Sequence, residues 1–181
     1  MKFTETPLKG SYVIELERHG DERGWFARLF CEREFKEHGL NHRVVQASNS
    51  FNQCQGTLRG MHYQLAPKAE DKVVRCFSGA LFDVIIDLRP ESPTFLKHFS
   101  IELTAQNRTM LYVPKGFAHG FITLKPDTEV LYLMTEFYAG ELQRGIRYND
   151  PKFNIQWPLK PAVISDKDKG QPDFNPDIHL K

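Results

Sequence analysis

The sequence predicts an all-β domain of short antiparallel strands, packed as a sandwich or barrel, with few helices. Three features predict it. Short runs rich in Val, Ile, Leu, Phe and Tyr recur along the chain. The clearest of them alternate apolar and polar residues with the period of two that a half-buried strand needs. Pro and Gly punctuate the intervals, and only one segment carries a helical pattern.

In chain order, the first run is Tyr12 to Leu16 and the second Trp25 to Phe30. Cys31 to His38 follows as the single helical stretch, stopped by Gly39. Lys72 to Phe77 and Ala80 to Leu88 flank Ser78-Gly79, whose turn chemistry predicts a hairpin. Phe99 to Leu103 alternates cleanly, and Met110 to Val113, His119 to Leu124 and Glu129 to Met134 complete the strands. From about Asp150 the chain is rich in Pro, Asp and Lys, which predicts a tail wrapping the surface. Many short strands with little helix between them predict a jelly roll of the cupin type, a double-stranded β-helix.

The 181 residues fit one domain, 1–181, without an internal repeat or a linker-like shift in composition. An apolar content of 40% is ample for a core. The net charge of +1 gives no reason to expect nucleic acid or an anionic membrane as partner. Cys31, Cys54 and Cys76 are odd in number and far apart, which predicts no disulfide framework and a reducing compartment. No apolar run follows Lys2 as a leader would require, and no window reaches the eighteen or so apolar residues of a membrane helix. The expected location is the cytoplasm.

Two segments interrupt the apolar strands with chemistry: Leu58-Arg59-Gly60-Met61-His62-Tyr63-Gln64 and Pro114-Lys115-Gly116-Phe117-Ala118-His119-Gly120. Glycine lets a ligand or another backbone approach closely, and histidine exchanges protons near neutral pH. On a regular strand His62 shares a face with Gly60 and Gln64, and Arg59 shares the other with Met61 and Tyr63. A lone histidine in a sheet is more often a hydrogen-bonded structural residue. Arg59, Gln64 and Lys72 weigh toward function, because polar groups converging inside a barrel need a reason. Pro114-x-Gly116-x-x-His119 has a spacing that metal-binding cupins use for one ligand. The companion His-x-His is absent, since Gln64 stands where the second imidazole is needed. Locally, Tyr132 reads as a core tyrosine with its hydroxyl at the barrel mouth. Asp168 reads as part of a solvated charge run, and Arg23 as either a turn residue or an anion contact.

Taken together, these segments resemble the nucleotide-sugar 3,5-epimerases typified by dTDP-4-dehydrorhamnose 3,5-epimerase. The matching pieces run in order from Asp21-Glu22-Arg23-Gly24 with Phe26, through Leu58 to Gln64, Lys72-Val73-Val74-Arg75 and Phe82-Asp83-Val84. Ser92-Pro93-Thr94, Val113 to Phe121, Gly145-Ile146-Arg147 with Asn149-Asp150-Pro151, and Ser165-x-Lys167-Asp168 complete them. The resemblance implies a cupin-type jelly roll, a homodimer through exchanged N-terminal strands, and no metal or other cofactor. It implies His62 as base, Asp168 as its orienting partner, Lys72 beside the sugar's keto oxygen, Tyr132 as opposing acid and His119 as a pocket residue. Arg23, Arg59 and Lys167 would hold the diphosphate, Phe26 and Tyr138 would stack on the nucleobase, and Gln46 would lie at the nucleotide end. The implied substrate is dTDP-4-dehydro-6-deoxy-D-glucose, a nucleotide-diphosphate 4-keto-6-deoxy sugar.

The chemistry agrees. Hydrogens at C3 and C5 flank the C4 ketone, so loss of either leaves an enolate whose charge sits on the keto oxygen. A cation there stabilises that charge as it develops. Inversion needs a base on one face and a proton donor on the other. The planar fork of arginine suits a diphosphate.

The chain departs from the family's usual residues at Arg28 in place of Glu, Ala47-Ser48 in place of Asp-Asn, and Tyr148 in place of Trp. The first two fall at the nucleotide end, so a CDP-linked sugar, or inversion at C3 or C5 alone, stays open. Two further readings are a metal-dependent cupin oxygenase or isomerase, and a sugar-binding cupin without catalysis. The joint presence of His62, Lys72, Tyr132 and Asp168 weighs against a mere binder.

Overall fold

Fourteen strands and three short helices make up the chain; the computed structural model describes residues 1–181. The strands are β1 (Lys2–Glu5), β2 (Tyr12–Glu15), β3 (His19–Asp21), β4 (Gly24–Phe26), β5 (Gln46–Asn52), β6 (Thr57–Gln64) and β7 (Lys72–Ser78). They continue as β8 (Ala80–Asp87), β9 (His98–Thr104), β10 (Met110–Val113), β11 (Phe117–Thr123), β12 (Thr128–Met134), β13 (Gln143–Gly145) and β14 (Val163–Ile164). The helices are α1 (Glu32–Glu37), α2 (Asp166–Lys169) and α3 (Pro176–His179).

Two sheets face each other as a jelly roll. The first runs β1-β2-β10-β7-β12-β5 and the second β13-β6-β11-β8-β9, with β14 added parallel to β6. All the other pairings are antiparallel. Alternation of side chains sends Val74 and Cys76 of β7, Leu81 and Ile85 of β8, Leu111, Phe121 and Val130 into the space between the sheets. β3 and β4 form a separate two-stranded ribbon that pairs with neither sheet.

The Ser78-Gly79 turn does not close the expected hairpin. β7 pairs with β10 and β12 in the first sheet, whereas β8 pairs with β9 and β11 in the second. The turn is a corner from one sheet to the other. Gly79 makes it with φ +75°, and a Cβ there would run into the Thr128 side chain.

The expected strand from Trp25 to Phe30 stops at Phe26, where the ribbon has no further partner. Leu29 and Phe30 instead pack with Phe35 of α1 against the outer face of the first sheet, on Ile14, Val73, Met110 and Tyr112. The outer face of the second sheet is covered by the chain beyond β13. Phe153, Ile155, Trp157, Phe174 and Leu180 lie against Met61, Tyr63, Phe82, Val84 and Ile86. That cover explains why β8 reads as a nearly continuous apolar run: both of its faces are buried. No helix is long and apolar enough to cross a membrane.

Candidate active site

A cavity of about 460 Å³ opens between the two sheets and is walled by β5, β6, β7, β11, β12 and the segment that carries α2. His62, Arg59 and Gln64 enter it from β6, Lys72 from β7, His119 from β11 and Tyr132 from β12. Gln46, Tyr138, Lys167 and Asp168 complete the predicted residues that it gathers. Arg23 and Phe26 are not among them. Both sit on the β3–β4 ribbon, where Arg23 pairs with Asp21 and Phe26 is 72% exposed.

A break in strand register changes the faces of β6. His62 stands opposite His119 and Arg59 opposite Phe121, so three steps on β6 span two on β11. The extra residue turns Arg59 to the same side as His62 and away from Met61 and Tyr63, which correct the regular alternation expected from the sequence. Gly60 and Gly120 make the bulge possible. A Cβ on Gly60 would lie 2.5 Å from Gly120 Cα, and φ at Gly60 is +128°. The glycine serves a close backbone contact rather than a ligand.

His62 Nε2 lies 2.6 Å from Asp168 Oδ1, and the Gly60 amide donates to Asp168 Oδ2 at 3.3 Å. Asp168 is therefore no solvated charge. Ser165 caps α2 by accepting from the Asp168 amide at 3.1 Å, and the turn aims this one carboxylate inward to 4% exposure while its neighbours face water. Burial opposes ionisation of Asp168. The hydrogen bond and charge of His62, with the Gly60 amide and Ser165, outweigh it and hold the carboxyl below the usual range.

The second histidine has a carboxylate of its own. His119 Nε2 is 2.6 Å from Asp83 Oδ1, with Asp83 fully buried. In the sequence Asp83 belongs to a matching strand segment, Phe82-Asp83-Val84, without a role of its own. The signal for a role is an acid inside an apolar run, which burial makes costly unless it is paired. Tyr132 stands edge-on to His119 with ring centroids 6.3 Å apart, and its hydroxyl is 3.5 Å from Ser50 Oγ. Burial pushes the Tyr132 phenol well above its ordinary value; Ser50 and Arg59 pull it back and the Asp83 charge adds to the rise. It keeps its proton at neutral pH.

Lys72 Nζ is 2.9 Å from Glu70 Oε1, a second carboxylate that the sequence reading missed. Arg59 Nε donates to Asn52 at 2.7 Å. Lys167 Nζ and the Tyr138 hydroxyl both donate to Gln143 Oε1, at 2.7 and 2.9 Å, and the Tyr138 amide donates to Gln46 at 2.8 Å. Gln64 is spent on the backbone: its amide donates to the Lys68 and Phe137 carbonyls and accepts from the Ala139 amide. No three His, Cys, Asp or Glu side chains are arranged to hold a metal ion. Of the departures, Ser48 lines the cavity, Arg28 pairs with Glu34 at 3.1 Å, and Tyr148 packs on Trp157.

A family model described as dTDP-4-dehydrorhamnose 3,5-epimerase matches residues 5–176. A dTDP-4-dehydrorhamnose 3,5-epimerase of Sinorhizobium fredii is 43% identical over 175 residues, covering 96% of this chain and 90% of the relative. The crystal structure of the enzyme of that name from Elizabethkingia anophelis superposes with a TM-score of 0.93 at 40% identity, covering 96% of each chain. A dTDP-6-deoxy-D-glucose-3,5-epimerase from Legionella pneumophila, in complex with dTDP-4-keto-L-rhamnose, superposes with a TM-score of 0.88 at 36% identity. That match covers 95% of this chain and 92% of the other.

Proposed function

The chain belongs to the dTDP-4-dehydrorhamnose 3,5-epimerase family, and on that premise we propose how its pocket works. The enzyme converts dTDP-4-dehydro-6-deoxy-D-glucose to dTDP-4-dehydro-L-rhamnose by inverting C3 and C5. The observation that carries the assignment of roles is the placement of base and acid on opposite walls. His62, backed by Asp168, enters from the second sheet and Tyr132 from the first.

His62 takes the proton at C3 or C5, and Asp168 fixes which imidazole nitrogen is free to do so. Negative charge develops on the C4 oxygen, where the Lys72 ammonium would stabilise it, with His119 as a further residue of the pocket wall. Tyr132, which holds its proton at neutral pH, returns one to the opposite face. Positioned transfers of this kind contribute about 10²–10⁴-fold each. Arg59 and Lys167 hold the diphosphate, with Gln46 and Tyr138 at the nucleotide end. Arg23 and Phe26 complete that end from a second copy of the chain, since the ribbon carries them outside their own pocket. A nucleotide-linked substrate and three free cysteines suit the reducing cytoplasm.

The test is the purified protein with dTDP-4-dehydro-6-deoxy-D-glucose in deuterated water, read by mass and NMR. Two deuterons with inversion at both carbons is the expected result; one deuteron would make it a 3- or 5-epimerase alone. His62→Ala should abolish exchange at both carbons. Tyr132→Phe should still exchange but form little inverted product, because His62 returns the proton to the face it came from. Inversion at the wild-type rate in Tyr132→Phe would remove Tyr132 as the acid.

A further inference from the structure

Glu70 stands on the wall of the pocket two residues before Lys72, and the reaction as described does not use it. Its side chain is 8% exposed and that of Lys72 13%. One carboxylate oxygen meets the ammonium at 2.9 Å, while the other, Oε2, is buried without any hydrogen-bond partner. Such an orphan is costly to stability, so a polar residue retained there calls for a physical reason.

Its neighbour Asp71 supplies the contrast. Asp71 accepts from the Tyr112 hydroxyl at 2.8 Å, the Asn41 amide at 3.0 Å, the Thr135 hydroxyl at 3.1 Å and the Lys115 backbone at 3.1 Å. That network pins the start of β7 and with it the stems of Glu70 and Lys72. The other ionisable groups facing this wall each have a partner elsewhere. On β6, His62 has Asp168 and Arg59 has Asn52; on β11, His119 has Asp83. On β12 Tyr132 has Ser50, on α2 Lys167 has Gln143, and Lys68 of the preceding loop has Glu136. Glu70 has Lys72 alone.

Resting on the reading of Lys72 as the group beside the keto oxygen, we propose that Glu70 is a positioning residue that aims the Lys72 ammonium. A lysine on its four-carbon stem has considerable rotamer freedom to lose. Fixing it before substrate arrives leaves less to reorganise when the enolate forms. The ammonium has three N–H donors. Facing Glu70 occupies one side of it and leaves the others for the developing oxyanion.

Glu70→Gln keeps the volume and an acceptor oxygen but removes the charge; Glu70→Ala removes both. The readout is kcat and KM in the deuterated-water assay. Glu70→Ala should lower kcat about 10–100-fold, the scale of a misplaced catalytic group, with KM within about twofold of wild type. Exchange and inversion should fall together, because both pass through the enolate. Glu70→Gln, which keeps an acceptor oxygen for the ammonium, should recover most of the rate lost in Glu70→Ala. A merely structural role would lower the yield of folded enzyme in both variants and leave kcat and KM per folded enzyme unchanged. A Glu70→Gln no faster than Glu70→Ala, or a wild-type kcat in Glu70→Ala, overturns the inference while an active wild-type enzyme leaves the reaction intact. A wild-type protein that neither exchanges nor inverts overturns the reaction and the inference with it.

Discussion

Asp168 shows how one side chain links chemistry to stability. Its carboxyl lies below the ordinary range when folded, because His62 and the Gly60 amide favour the charged form over the cost of burial. A depressed carboxylate contributes stability that is present above the unfolded value of about 3.9 and is lost as pH falls through the folded value. Asp168→Asn should therefore destabilise the protein at neutral pH, and the gap to wild type should close in acid. Urea titrations at a series of pH values check this; a gap that stays constant down to the acid limit would contradict it. The same variant should lose on the order of 10²-fold or more in kcat, since His62 loses the charge that holds its orientation.

Among the elements, β6 does most to build the site, and its irregularity is the reason. A regular strand would send Arg59 to the outer face with Met61 and Tyr63. The bulge against β11 brings it beside His62. The contact of Gly60 with Gly120 sustains that geometry, so Gly60→Ala meets a backbone atom at 2.5 Å as well as an unfavourable φ. Strain and overpacking of this kind cost about 1–3 kcal/mol each, and the sum predicts a loss of ~3 kcal/mol or more by chemical denaturation. Gly24→Ala is the control. Its φ is +129° but no atom lies within 4 Å of the added Cβ, so only the strain applies. Equal losses in the two variants would show that the close approach is not what fixes the bulge.

In the whole molecule, the ribbon formed by β3 and β4 has no further strand partner in its own chain. It bears Trp25 and Phe26, and the same chain also exposes Phe51 and Phe77, with Arg108 over Trp25 at 5.0 Å and Arg75 over Phe77 at 4.7 Å. Exposed aromatics of this size mark surfaces that meet a partner, and the proposed occupant is a second copy, which would also complete the nucleotide end of the pocket. Light scattering at micromolar concentration should give about twice the 21.0 kDa of one chain; a monomer would remove the shared site. Arg23→Ala should raise KM about 10–100-fold, the worth of one charge-assisted hydrogen bond at 1.5–3 kcal/mol.

The strand-rich fold, the helix ended by Gly39 and the two histidine segments are legible in the chain because each leaves a local pattern of periodicity or turn chemistry. The order and spacing of the motifs likewise reveal the family. Three features are not legible there and emerge from packing. The corner at Ser78-Gly79 was one, since a turn signal does not say which sheet the next strand joins. The inward aim of Asp168 was another: a charge run looks the same in sequence whether or not one member is turned onto a histidine 106 residues away. The pairing of Asp83 with His119 and of Glu70 with Lys72 was the third. A carboxylate takes its role from the cation that folding places beside it, and that placement depends on sheet register rather than on neighbours in the chain.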